Sequence, residues 1–144
     1  MGIVRRLAHP LLGSVFVTTG VETLLDPGPR IQRARESGLD RQVPYDAASL
    51  VRTSAALQIL GGAMLVTNRA PRLGALVLAV TLVPSTYAGH PFWTETDKQV
   101  RAQQRAHFAK NLGLLGGLLA TVAERRKRSS NGVARRATRH LTGG

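Results

Sequence analysis

HFAKNLGLLGGLLATVAERRKR, residues 107–128, decides how the whole chain is read. It opens with His107, Lys110 and Asn111, carries no charge from 112 to 123, and stops at Glu124 and a run of bases. A helix rising 1.5 Å per residue approaches the roughly 30 Å of a bilayer's hydrocarbon over such a length. Glycines at 113, 116 and 117 let a neighbouring helix come close, as packed membrane helices require.

Working outward, three more apolar blocks precede it, at residues 7–25, 47–67 and 72–89, with the fourth at 106–123. Each mixes large apolar residues with Gly, Ala, Ser or Thr. Gly61 and Gly62 in the second block join Gly113, Gly116 and Gly117 as expected helix-packing positions. A water-soluble four-helix protein needs a polar face on every helix, yet residues 73–83 offer only Thr81 and a glycine. The fold expected is therefore all-α, a polytopic transmembrane four-helix bundle over residues 1–124. Residues 125–144 are expected to form a basic, disordered cytoplasmic tail. The first block has the basic lead of a signal peptide, Arg5 and Arg6, but ends in ETLLDP instead of small residues. It reads as a retained helix.

Pro and Gly mark the joints. Asp26-Pro27-Gly28-Pro29 ends the first block, and His90-Pro91 closes the third, because proline supplies no N–H to continue a helix. Residues 68–72 make so short a link that the second and third blocks are expected to be antiparallel neighbours. Between them and the first block, IQRARESGLDRQ alternates charge signs, and both a short surface helix and a structured loop fit it.

The formal charge of +12 alone suggests nucleic acid, but 43% of the chain is hydrophobic and the bases stand largely outside the apolar blocks. No nucleic-acid partner is expected; the expected partners are membrane lipids and a partner protein or redox complex. Four spans put both termini on one side, with Arg5, Arg6, Arg69, Arg72 and the seven bases of the tail. The other side holds Arg30, Arg33, Arg35, Arg41, Lys98, Arg101 and Arg105. That excess places both termini in the cytoplasm of a multi-pass plasma (inner) membrane protein.

This topology sorts polar residues by depth. Glu22, Arg52, His90, His107, Lys110 and Asn111 all fall near the outer end of the spans. Charges in hydrocarbon are tolerated when they pair or face a bundle interior. Three readings follow: a clasp in which Glu22 neutralises Arg52 or Lys110, a shallow pocket for a quinone head, lipid head or small anion, and a docking surface for a subunit. No midplane charge in the first, third or fourth block favours a transport path. Cysteine is absent, which excludes disulfides and thiol chemistry, and no CxxC, HExxH, GxSxG or Walker pattern occurs. Catalytic residues are unassigned, enzymatic activity is left open, and no metal, flavin or haem signature is present.

The chain resembles small DoxX-family membrane proteins of the actinobacterial type. The likeness runs through LAHPLLGSVFVTTGVETL, AALQILGGAML, GHPFW and QRAHFAKNLGLLGGLL. It falls on His90, Pro91, Phe92 and Trp93, and on His107, Phe108, Lys110, Asn111, Gly116 and Gly117. The resemblance implies a four-helix membrane protein acting as an accessory or quinone-linked component of a redox or stress-response system. A small transporter or lipid-handling protein and a structural anchor for a partner are the alternatives.

Overall fold

The computed structural model describes residues 2–89 and 92–124; the tail at 125–144 and the His90-Pro91 joint lie outside them. Its helices are α1 (Gly2–Leu25), α2 (Gly28–Glu36), α3 (Ala47–Val66), α4 (Pro71–Gly89) and α5 (Lys98–Ala123), with one 3-10 turn at Leu39–Arg41. The fold is all-α. The ambiguous charged segment is thus helical up to Glu36, as part of the nine-residue α2 that starts at Gly28. The fourth block is longer than its apolar stretch: α5 begins at Lys98, eight residues before position 106, and Asp97 caps it, accepting hydrogen bonds from the Gln99 and Val100 amides.

The four long helices run alternately up and down. α1 packs on α3, α3 on α4 and α4 on α5, and α2 lies against α3 and α4 at one end. Adjacent glycines on α3 serve two different neighbours. A Cβ on Gly62 would stand 2.7 Å from the Gly13 carbonyl oxygen of α1, and one on Gly61 would stand 2.8 Å from Leu78 of α4. Gly13, Gly20 and Gly74 are equally tight against facing backbone. The sequence reading had passed over these three. Conversely, Gly113 and Gly116 have open space where a Cβ would go, and Gly117 meets only Leu12 at 3.7 Å. Gly113 and Gly116 are turned away from the neighbouring helices, and Gly117 makes only an ordinary contact with Leu12, so none of the three brings backbones together within the chain.

Phe16, Leu65, Leu78, Leu82 and Leu118 form the buried centre with Ala75 and Ala79. Hydroxyls on α1 are satisfied locally: Thr18, Thr19 and Thr23 each donate to the carbonyl four residues back. Among the described residues, α3 alone is both long and apolar enough to cross a bilayer by itself. α1 carries Ser14, Thr18, Thr19 and Glu22, and α5 carries His107, Lys110 and Asn111.

Candidate functional site

At the end of the bundle that holds α2 and the α4–α5 link, the helices enclose a cavity of about 860 Å³. Its existence follows from the packing. α5 is held mainly by α4 and meets α1 chiefly at the opposite end, through Gly117 beside Leu12 and His9 Nε2 at 3.6 Å from Glu124 Oε2.

Three α5 residues singled out in the sequence, His107, Lys110 and Asn111, line the cavity, and Glu22 lines it from α1. His107, Lys110, Asn111 and Leu114 follow helical i, i+3, i+4 spacing, so one face of α5 presents them all. Asn111 is fixed: its amide donates to Thr86 Oγ1 at 3.0 Å, tying α5 to buried Thr86 of α4. Arg52 is the correction. Leu50, Ser54 and Leu57 of α3 line the cavity, whereas Arg52, about 200° round the helix from Leu50, points outward and is exposed. His90 lies outside the described residues.

The expected pairing of Glu22 also changes. Among the described residues, neither Arg52 nor Lys110 forms an ion pair with it within 4 Å. Its electrostatic partner is Arg30 of α2. Burial pulls the Arg30 guanidinium below its ordinary value, Glu22 opposes that shift, and Arg33 adds to it. Arg30 also donates to the Thr19 carbonyl at 3.3 Å, which fastens α2 to α1. Ala34 on the same helix is buried, so Arg30, Arg33 and Ala34 form the inward face of α2 over the cavity.

Sequence reasoning missed Arg30 and Arg33 because alternating charge hides which face of a short helix turns inward. The signal was the small Ala34 one turn after Arg30. Deeper in, the lining is apolar, with Val15, Phe16, Leu57 and Leu114, interrupted by Gln58 and Thr81. Gln58 is buried, and its Oε1 has no hydrogen-bond partner.

An aromatic cluster stands beside this end. Phe92 packs edge-on to Trp93 and Phe108 at centroid distances of 5.2 and 5.3 Å, and Tyr87 lies 5.6 Å from Trp93. Tyr87 and Trp93 remain about half exposed.

Compared with protein-family models, residues 6–91 match DoxX, more than half of the 144 residues, taking in α1 from Arg6 onward and all of α2 to α4. The pattern on α5 lies beyond the matched residues. No curated protein and no solved structure matches the chain.

Proposed function

The chain belongs to the DoxX family, and from that premise we propose that it is a multi-span membrane component which holds an amphipathic molecule, a quinone or a lipid, in this cavity. The cavity carries the reading: about 860 Å³ with Glu22, His107, Lys110 and Asn111 at one end and apolar walls below. That size lies within the roughly 300–1,000 Å³ range of pockets that take one small ligand.

The membrane setting is supported by what the fold leaves outside. Leu7, Leu11, Leu25, Leu60, Leu73, Leu76, Val83, Leu112 and Leu119 are exposed on several helices at once. A large contiguous apolar exterior suits lipid, not water. Tyr87 and Trp93 suit the headgroup level, where amphipathic rings gather. In this reading α1, α3, α4 and α5 span as one bundle, with both termini cytoplasmic and the cavity mouth on the opposite face.

For a quinone head the donor set fits. Lys110 offers an ammonium, and His107, Gln104 and Gln103 line the cavity from the preceding turns of α5. A bound quinone would carry electrons between a partner's redox centre and the membrane pool. The chain's share is to hold and orient the head and to exclude water from its inner side. It is in that sense an accessory member of a redox or stress-response system.

Purification in mild detergent, followed by extraction and mass spectrometry, tests the proposal. About one quinone or lipid per chain should copurify and be lost in Ser54→Trp, which fills the cavity from α3. A chain that stays in water without detergent overturns the membrane reading, and one that binds neither class overturns the cavity reading.

A further inference from the structure

The charge of the cavity wall points to the class of ligand. Of the charged side chains that line it among the described residues, Arg30, Arg33 and Lys110 are cationic and Glu22 alone is anionic. Among the described residues no other carboxylate, Asp26 and Asp40 included, lines the cavity. Asp46 and Asp97 are engaged as helix caps, Glu36 accepts from Gln32, and Glu95 accepts from the Thr96 and Asp97 amides. None of these four carboxylates lines the cavity.

Nor is the surplus explained by insertion. Bases direct topology from the cytoplasmic side, whereas Arg30 and Arg33 belong to the end opposite both termini. A guanidinium aimed at solvent needs no partner, but Arg30 is partly buried beneath its own helix and is desolvated there with Arg33 nearby. Glu22 offsets one of these cations, while Arg33 and Lys110 are exposed and leave the cavity wall with net positive charge.

Resting on the reading of the cavity as a ligand site, we infer that it takes a single-tailed amphiphile with an anionic head, of the carboxylate type. The head meets Arg30 and Arg33 from α2 and Lys110 from α5, and the tail runs between Phe16, Leu57 and Leu114. Guanidinium groups bind carboxylates through paired, charge-assisted hydrogen bonds. The volume favours one chain over the two of a phospholipid. Arg30 bonds α1 through the Thr19 carbonyl, which leaves Arg33 and Lys110 as the freer pair to close on the head.

The full chain in nonionic detergent is titrated with oleate, oleyl alcohol and decylubiquinone, and bound probe is counted by native mass spectrometry. Oleate should bind at about one per chain and at least about tenfold more tightly than the two neutral probes, the effect of one lost charge-assisted contact. Arg33→Gln with Lys110→Gln should bring oleate down to the level of oleyl alcohol without weakening the alcohol. Should that pair misfold, exposed Arg33→Gln alone is expected to reduce the preference severalfold. Equal binding of decylubiquinone or oleyl alcohol by the unaltered chain overturns the anionic head and leaves the cavity reading standing. Undiminished oleate preference in the variants also overturns it. Failure of all three probes to bind overturns both.

Discussion

Gly13 of α1 and Gly62 of α3 face each other so closely that a Cβ on either would lie 2.6–2.7 Å from the other's carbonyl oxygen. Two helix backbones in contact leave no volume for a methyl group. Gly62→Ala therefore forces α1 away from α3, at a cost typical of overpacking, about 1–3 kcal/mol. Gly116→Ala on α5 meets nothing and gains helix propensity, so it should be neutral or stabilising by up to about 1 kcal/mol. Thermal unfolding of both variants in detergent makes the comparison. A strongly destabilising Gly116→Ala would mean that a partner covers that face.

Lys110 lines the cavity and makes no ion pair within 4 Å among the described residues. Lys110→Ala should leave the melting temperature within about a degree, since exposed substitutions without partners move stability by less than about 0.5 kcal/mol. Ligand retention should fall in the same sample. A large drop in melting temperature would revive the clasp between Lys110 and a carboxylate.

Asn111 is different, because its amide bonds Thr86 across the α4–α5 interface. Asn111→Leu should cost about 0.5–1.5 kcal/mol, in the range of interhelical hydrogen bonds in membrane proteins. Thr86→Val should cost a similar amount. The double variant should cost clearly less than the two singles together, and strict additivity in that cycle would show that the bond contributes nothing.

The other end of the bundle has its own fastening. His9 Nδ1 lies 2.7 Å from Asn68 Oδ1, and Asn68 sits at φ +52, in the left-handed region. Asn68→Gly keeps the turn and loses the bond; Asn68→Ala loses the bond and adds strain of about 1–2 kcal/mol. The alanine variant should melt below the glycine variant. Ala70, at φ +50, predicts the reverse: Ala70→Gly should be stabilising by up to about 1 kcal/mol.

Asp46 caps α3, and its carboxyl is held below the ordinary aspartate value by the Ser49 side chain first, and then by the Ser49 and Ala48 amides. A lowered folded-state pKa means that the cap stabilises above the unfolded value and fades as pH falls through the folded one. Asp46→Ala should therefore melt lower than the parent at pH 7. The gap should close as pH drops below the ordinary aspartate range of about 3.9. A gap that is constant down to pH 3 would show that the ionised cap is not the cause.

The apolar blocks, their joints and the helical spacing of His107, Lys110 and Asn111 were legible in the sequence, because they depend on local periodicity and on proline. The second and third blocks became helices within a residue or so of their expected ends. Local pattern could not choose between helix and loop for residues 28–44, nor show which glycines meet a neighbour. GLLGG on α5 looks more like a packing motif than the lone Gly13, yet Gly13 is the one in backbone contact.

What the sequence determined by itself is an all-helical chain with polar groups gathered near one end. Only the tertiary structure decided which of them share a space. Arg52 and Glu22 lie at matching depths in a linear reading, but rotation about the α3 axis turns Arg52 outward. The fold-back of α2 brings Arg30 and Arg33, remote from α5 in sequence, to the cavity that Lys110 lines. Depth follows from counting residues along a helix; facing depends on which neighbours pack, and that is set by where backbones can touch.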